Sequence, residues 1–309
     1  MTDGTLRSPL APPLRTASLA MLTWRAPKTL AHTLERLNPI LCLFKDRVIV
    51  CQESDPQEIA IAENHGFRVV ALKANVGIQH GMQHAVEACN NDQVLFLEND
   101  VVLEESEATS CWILTRLNAL LEAGEINFAK LRRLPLAPRD KVTQYWRVTD
   151  GRPARRLYGT LRWNRANQIA SELVCANLVP GFRSPYLTDH GNGLYLTDSK
   201  YCRWENLAVF MNRPFFLDRL IPFAIANPTS RGVNGQPDLE HRVNSASNRY
   251  WWAKQRFSAA IVKPGLFGHR RLDRLASDDK WHSVNPSDDG GPVEIYNPDT
   301  ERDWAPNSD

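Results

Sequence analysis

The sequence predicts an α/β protein with a mostly parallel central sheet, because short apolar segments of strand length alternate with segments of helical periodicity from residue 17 to residue 131. Strand, helix, strand units that repeat this regularly imply right-handed crossovers, which place helices on both faces of the sheet. The chain has 309 residues and is 43% hydrophobic, which suffices for a substantial core. We therefore expect one domain with elaborations.

The individual elements follow from apolar spacing and from breaker residues. Pro27 suits the first turn of a helix, Ser54 or Asp55 begins the next helix, and Gly66 ends it, whereas Gly81 weakens the third. The predicted strands are residues 17–24, 47–51, 67–72, 93–98 and 126–131, and the predicted helices are residues 26–37, 55–66, 77–89 and 107–124.

Composition restricts the classes of partner. The net charge is +2, from 37 basic and 35 acidic residues, so overall charge indicates neither a nucleic-acid nor a membrane binder. No apolar segment approaches 18 residues, and the six cysteines include no CxxC pair or typical zinc spacing. We expect a cytoplasmic protein with reduced thiols and no transmembrane segment.

Two carboxylates interrupt the apolar segment "VLFLENDVVLEE", residues 94–105. They follow the fourth predicted strand, at the carboxyl edge of the sheet, where α/β proteins bind ligands. Glu98 and Asp100 share one face, roughly 6.5 Å apart, whereas Asn99 faces away. A hard divalent cation with a diphosphate suits such a site. Acidic residues and Asn also form ordinary turns at strand ends, which is the alternative interpretation.

The other strands also end in polar residues. Neither GxGxxG nor GxxxxGK[ST] occurs, which argues against a dinucleotide-binding Rossmann site and a P-loop. The residues that cluster at the predicted edge are Thr23, Trp24 and Arg25 after the first strand, Glu53 after the second, and Asn75 and Gly77 after the third.

Three segments together, "LAMLTWRAPKTLAHTLERL", "VIVCQESD" and "ANVGIQHGMQHAVEACNNDQVLFLENDVVLEE", resemble the nucleotide-sugar half of a GT-A fold glycosyltransferase and are similar to glycosyltransferase family 2. The resemblance implies a nucleotide-diphosphate sugar donor, with a UDP-sugar as the first expectation, and a GT-A type, Rossmann-like sheet followed by an acceptor-side C-terminal half. The implied boundaries are a flexible leader at 1–16, the donor half at 17–130, a basic insert or hairpin at 131–170, the acceptor half at 171–285 and an irregular tail at 286–309.

The resemblance also assigns roles in the donor half. Glu53 would contact the nucleoside, and Asn75 with Gly77 would lie near the base and ribose. Glu98, Asn99 and Asp100 would occupy the DXD motif, with Asp100 as the metal ligand and Glu98 nearer the ribose or a metal-bound water. The sequence departs from the family because its first acid is Glu instead of Asp. The donor-binding candidates are Thr23, Trp24, Arg25, Glu53, Asn75, Gly77, Glu98, Asn99 and Arg270.

The C-terminal half supplies the remaining chemistry. An inverting transferase needs a carboxylate that takes the proton of the acceptor hydroxyl, and "NGQPDLEHRVN" offers Asp238 or Glu240. A capped helix start is the alternative reading of Asp238. His269 resembles the histidine that completes the metal shell in many GT-A enzymes, which would favour Mn²⁺ over Mg²⁺. Arg270 and Arg271 would neutralise the diphosphate.

The acceptor side is less specific. Asp189 and His190 precede a glycine-rich turn and could line the acceptor cavity, and Trp251 could stack on a sugar ring, although each also fits an ordinary turn or packing helix. Residues 130–165 carry eleven arginine and lysine side chains with interleaved aromatic residues, which suits an acceptor loop, an anionic membrane surface or nucleic acid, or only a solvated hairpin.

These observations predict a metal-dependent glycosyltransferase, inverting in preference to retaining, that transfers a sugar to a glycan or another hydroxyl acceptor. Two other classes stay open. A sugar-phosphate nucleotidyltransferase shares the sheet but normally has a glycine-rich loop after the first strand, where this chain has "TWRAPKT". A noncatalytic polyanion-binding protein would use the basic segment 130–165.

Overall fold

The computed structural model describes residues 14–133, 139–149, 168–177, 184–229, 232–233 and 236–273. In these ranges the strands are β1 (Leu14–Thr23), β2 (Phe44–Cys51), β3 (Arg68–Ala71), β4 (Gln93–Glu98), β5 (Val101–Leu103), β6 (Phe128–Lys130), β7 (Thr188–Asp189), β8 (Leu194–Asp198), β9 (Ala208–Asn212), β10 (Gly232–Val233), β11 (Gln236–Pro237), β12 (Ser258–Val262) and β13 (Phe267–His269). The helices are α1 (Pro27–Leu41), α2 (Pro56–Asn64), α3 (Gly77–Glu87), α4 (Glu107–Glu122), α5 (Arg139–Thr149), α6 (168–174), α7 (Arg213–Phe215), α8 (Ile221–Ala226), α9 (Leu239–Asn244) and α10 (Arg249–Gln255), with a 3₁₀ turn at Gln52–Ser54 and a π-helical turn at Phe216–Leu220.

A nine-stranded sheet forms the centre of the described part of the chain, in the order β3-β2-β1-β4-β9-β6-β12-β8-β7. The first four strands are parallel to one another, as the sequence predicts. β9 is antiparallel to both neighbours, and β8 likewise, so seven of the nine strands run in one direction. The prediction of a mostly parallel α/β sheet is confirmed.

Helices cover both faces of this sheet, because each face carries its own apolar cluster. One cluster packs α1, α2 and α4 against β1, β2 and β4 through residues such as Leu34 and Leu117. The other packs α3, α9 and α10 against the opposite face through residues such as Met82 and Trp252. Alternation along β4 separates the two clusters, since Leu97 belongs to the first and Phe96 to the second.

Several boundaries differ from the predicted ones. β1 begins at Leu14, three residues before the predicted strand and within the predicted leader. α3 is continuous through Gly81. A Cβ at this position would lie 2.7 Å from Leu22 Cδ1, so the glycine allows the helix to pack closely against β1. Residues 139–149 form helix α5, so this part of the basic insert is helical instead of a hairpin. The rest of the basic segment beyond 149 and the predicted tail lie outside the described residues.

A second, two-stranded sheet brings the end of the described chain back to the donor half. β13 pairs antiparallel with β5, and Asp273 then reaches the start of α1, where its carboxylate accepts a hydrogen bond from Thr29 N at 2.6 Å. Ala26, the N-cap residue of α1, has no side-chain acceptor, so Asp273 supplies the cap. Within the described ranges, no helix is long and apolar enough to cross a membrane.

Candidate active site

Asp100 and His269 lie together at the carboxyl edge of the sheet. The β5–β13 pairing sets His269 opposite Val101, and Arg270 N donates to the Asp100 carbonyl oxygen at 2.7 Å. As a result His269 Nε2 lies 3.0 Å from Asp100 Oδ2. The other carboxylate oxygen, Asp100 Oδ1, is buried and has no hydrogen-bond partner among the described residues. Buried polar atoms are nearly always paired, so this oxygen is available to a ligand.

The surroundings of Asp100 and Glu98 favour a charged carboxylate at Asp100 and a neutral one at Glu98. Burial alone would raise the pKa of Asp100, but His269 and then Arg271 lower it below the ordinary value. Burial raises the pKa of Glu98 well above its usual range, and the charges of Asp100, Asp238 and Glu240 raise it further. Carboxylates from both halves of the chain therefore act on one site.

The two predicted catalytic carboxylates differ in their surroundings. Asp238 is buried and caps α9, since its Oδ1 accepts from His241 N at 2.6 Å, and its Oδ2 accepts from Asn206 Nδ2 at 3.1 Å. The capping alternative for Asp238 is therefore what the structure contains. Glu240 accepts from Asn206 N at 3.3 Å. Burial, then Glu205 and Asp238, raise the pKa of Glu240 to about 8.

A buried ion-pair network, which the sequence reasoning missed, lies beside these carboxylates. Glu205 binds Lys130 Nζ at 2.7 Å and Arg132 Nη1 at 3.0 Å. Burial would raise the pKa of Glu205, but these two cations lower it to about 2. The available signal was Lys130, a charged residue at the end of the apolar segment "INFAKL".

The β9 strand explains how these groups reach the site. β9 runs against its neighbours, so the segment before it, residues 204–207, lies at the carboxyl edge of β4 and β6. Glu98 N donates to the Leu207 carbonyl oxygen at 3.2 Å. Asn244 fastens the same segment to α9, because its side chain accepts from Trp204 N and donates to Trp204 O. Residues distant in sequence thus form one rigid wall.

The ends of β1 and β2 meet in a strained ion pair. Arg25 Nε lies 2.5 Å from Glu53 Oε2, and both residues have positive φ angles, 48° and 62°. Such angles are unfavourable for residues with a Cβ and cluster at ligand sites. The Trp24 indole Nε1 beside them is buried, and no residue in the described ranges accepts a hydrogen bond from it.

The side chains of Thr23 and Asn99 form a buried hydrogen-bond network with Glu58. Thr23 Oγ1 donates to Glu58 Oε1 at 2.5 Å and accepts from Asn99 Nδ2 at 2.9 Å. Glu58 also accepts from Ala26 N at 2.9 Å. This buried network fixes the ends of β1 and β4 relative to α1 and α2.

Asn75 and Gly77 shape the start of α3. Asn75 Oδ1 accepts from Gly77 N at 2.8 Å, which is an Asx turn. Gly77 has a φ of 80°, and a Cβ there would lie 2.6 Å from Gln236 Cβ. The glycine therefore lets the start of α3 contact the short β10–β11 ribbon that leads to Asp238.

The two arginines after His269 point to different surroundings. Burial and then the charge of Arg270 lower the pKa of His32, so the Arg270 guanidinium acts toward α1. Arg271 Nη1 lies 4.0 Å from Asp100 Oδ2. Of the pair, Arg271 is the one whose charge faces the carboxylate site.

The acceptor candidates separate in space. His190 N donates to the Leu194 carbonyl oxygen, and Asp189 accepts from Gly191 N, so this turn lies at the carboxyl edge beside the end of β12. Trp251 instead stacks on Phe223, with ring centroids 3.5 Å apart, and packs between helices. An open depression lined by residues such as Tyr186 and Arg256 lies at the opposite edge, where Asp198 pairs with Ser258, and is separate from this site.

Comparisons with known proteins give similarity in structure only. No family model and no curated protein matches the chain. A similar solved structure is glucosyl-3-phosphoglycerate synthase from Mycobacterium tuberculosis in complex with Mn²⁺, UDP and glucosyl-3-phosphoglycerate, 16% identical over 84% of this chain and 73% of that chain, TM-score 0.44. Another is the mannosyltransferase PcManGT from Pyrobaculum calidifontis in complex with GDP-Man and Mn²⁺, 12% identical over 84% of this chain and 59% of that chain, TM-score 0.43. A mycobacterial protein is 14% identical over 85% and 69%, TM-score 0.42. At these low scores, function has to be inferred from the residues of this chain.

Proposed function

We propose that the protein is a metal-dependent, inverting glycosyltransferase that uses a nucleotide-diphosphate sugar, with a UDP-sugar as the first candidate, and a hydroxyl acceptor. One observation carries the proposal. Carboxylates from the two halves of the chain converge at the carboxyl edge of the sheet, where Asp100 has an unpaired buried oxygen and Glu240 has a pKa raised to about 8. Metal binding and proton abstraction thus have separate residues in one site.

The donor set fits a divalent cation. Asp100 and His269 provide a carboxylate and an imidazole, a combination that suits Mn²⁺. Within the described ranges no group of three or more histidine, cysteine, aspartate and glutamate side chains could hold an ion, so diphosphate oxygens and water would complete the shell. A bound Mn²⁺ would supply positive charge that neutralises the departing diphosphate. Arg271, 4.0 Å from Asp100, adds a fixed positive charge beside the same group.

Glu240 is the better of the two base candidates. Both oxygens of Asp238 accept hydrogen bonds that hold α9 and residue Asn206, so its role is structural in this arrangement. A base works best when its pKa lies near the operating pH, and the pKa of Glu240 of about 8 meets that requirement. Transfer should therefore increase as pH rises through the range in which Glu240 loses its proton.

Calorimetric titration tests the proposal directly. UDP-, GDP- and CDP-sugars are titrated into the protein with and without Mn²⁺, and donor hydrolysis is followed in parallel. We expect binding of at least one donor that depends on Mn²⁺ and is abolished by Asp100→Asn. Asp92→Asn is the matched control. Asp92 is exposed and directly precedes β4, whereas Asp100 follows the other end of that strand. The control should bind as the wild type does.

Two results would contradict the proposal. The first is the absence of metal-dependent binding with every nucleotide sugar. The second is release of pyrophosphate from UTP and a sugar 1-phosphate without glycosyl transfer, which would indicate a nucleotidyltransferase. For the base, Glu240→Gln should reduce transfer about 10²–10⁴-fold. Undiminished transfer by that variant would exclude the assignment.

A further inference from the structure

Lys263 is a buried lysine whose ammonium has no carboxylate within ion-pair distance among the residues that the structure describes. It follows β12 directly and is 7% exposed. Its ammonium lies 5.8 Å from the centroid of the Tyr195 ring. A cation–π contact at this distance offsets only part of the free energy needed to bury an ammonium group.

Lys130 shows how the same chain accommodates a buried lysine elsewhere. Lys130 is 6% exposed and forms a 2.7 Å ion pair with Glu205. Burial would lower the pKa of Lys130, but Glu205 reverses this and raises it. For Lys263 the effect of burial prevails, and its pKa falls to about 8, although negative charge on the sulfurs of Cys175 and Cys202 acts in the opposite direction. Its charge is therefore left without a carboxylate in the described part of the chain.

Strand geometry places Lys263 on the face that carries the reaction site. Ile261 of β12 pairs with Lys130 on one side and Tyr195 on the other. Lys263 is two residues beyond Ile261 and contacts the Tyr195 ring, so its side chain continues the same face. Glu98 continues that face on β4, two residues beyond Phe96. All these side chains lie at the carboxyl edge.

The separation from the donor site indicates which part of the reaction Lys263 serves. β4 and β12 are three strand spacings apart in the sheet, which is about 14 Å at roughly 4.8 Å per spacing. Glu240 lies between them, because the segment that it contacts precedes β9, the strand beside β4. A group held at Lys263 is thus on the far side of the base from Asp100, where the acceptor would lie.

The backbone of Lys263 is hydrogen-bonded to the turn between β7 and β8, residues 190–193. Lys263 N donates to the Gly193 carbonyl oxygen at 2.8 Å. A Cβ at Gly193, which has a φ of 80°, would lie 2.3 Å from the Lys263 carbonyl oxygen. The turn that contains Asp189 and His190 therefore holds Lys263 in place.

We propose that Lys263 anchors a subsite for an anionic group, a phosphate or a carboxylate, of the acceptor substrate. This role rests on the proposed transferase function, but the anion site itself is testable without donor or metal. An ammonium in a low-dielectric site attracts an anion strongly, and binding of that anion would supply the counter-charge that no carboxylate provides in the described part of the chain. Neutral glycan acceptors would leave the lysine uncompensated.

The experiment uses the full-length protein after reductive methylation of its lysines with ¹³C-formaldehyde. The Lys263 signal in a ¹H–¹³C spectrum is the one that disappears in Lys263→Met, and Lys263→Arg replaces that variant if it does not fold. Titration of the free protein should give a pKa near 8 for this signal. Inorganic phosphate and acetate are then added separately, and Lys254, which is exposed on α10, is the control.

We expect one of the two anions to raise the Lys263 pKa by about 1 or more, as an opposite charge within contact distance does, while Lys254 does not change. A response to phosphate alone indicates a phosphate-bearing acceptor, and a response to acetate alone indicates a carboxylate. No response to either anion, or an equal change at Lys254, overturns the proposal. If Lys263 responds but no nucleotide sugar binds, the anion site stands and the transferase function fails.

Discussion

Replacing Glu240 by glutamine should stabilise the protein at alkaline pH while it removes the proposed base. The folded-state pKa of about 8 exceeds the ordinary value of 4.5 because the carboxylate is buried beside Glu205 and Asp238. A raised pKa means that folding is favoured by the proton on Glu240 and loses this contribution as pH rises from about 4.5 to about 8. Glutamine keeps the hydrogen bond from Asn206 N without the charge.

The magnitude follows from the difference in pKa. A difference of roughly 3.5, at about 1.4 kcal/mol for each factor of ten, sets a ceiling of about 5 kcal/mol above pH 8. The Glu240 side chain as a whole is only half-buried, and the water that reaches it screens this contribution, so we expect about 2 kcal/mol at pH 8 and less than about 0.5 kcal/mol at pH 5. For a chain of 309 residues, with an unfolding entropy of about 0.65 kcal/mol/K, 2 kcal/mol raises Tm by about 3 °C.

Thermal unfolding of wild type and Glu240→Gln between pH 5 and pH 9 measures the effect. Glu63→Gln is the matched control, since Glu63 is exposed on α2 and should give a small difference that does not vary with pH. A Glu240→Gln difference in Tm that is constant with pH would refute the burial of a charge-prone carboxylate at this position. A variant that is less stable than wild type at pH 8 would refute it too.

Three further substitutions test the scaffold around the site. Glu205→Gln leaves the Lys130 ammonium buried and unpaired and should lower the free energy of unfolding by about 3–5 kcal/mol in urea titrations, with partial recovery in the double variant that adds Lys130→Met. Gly77→Ala should lower it by at least about 1–2 kcal/mol, because of the positive φ and the 2.6 Å approach to Gln236. Asp273→Ala removes the cap of α1 and should lower it by about 1 kcal/mol in the same measurement. Unchanged urea midpoints would contradict each of these contacts.

The donor half was predictable because its information is local. The spacing of Leu30, Leu34 and Leu37 predicts α1, and all three are fully buried in the structure. Asp55 and Gly66 mark the ends of α2 through a side-chain cap and a positive φ. The rule that parallel strands present their carboxyl ends together then predicts a polar edge at Glu98 and Asp100.

The buried ion-pair network of Glu205 and Lys130 could not be predicted in this way. It depends on β9 lying antiparallel between β4 and β6, and such a long-range pairing leaves no periodic signal in the sequence. The same pairing gives Asp238 and Glu240 different surroundings, because it brings Asn206 Nδ2 to within hydrogen-bond distance of Asp238 Oδ2. The roles of these residues, and of the donor and acceptor candidates, stay predictions.

The sequence by itself determined the class of fold, the order of the first four strands and helices, and the position of the acidic turn, because apolar periodicity and breaker residues act over a few neighbouring positions. Tertiary structure alone gave the 3.0 Å approach of His269 Nε2 to Asp100 Oδ2, the position of Arg271 rather than Arg270 beside this carboxylate, and the lack of a carboxylate partner for Lys263 in the described part of the chain. Charge compensation and pKa depend on distances across strands that are far apart in sequence, and only the assembled sheet sets those distances.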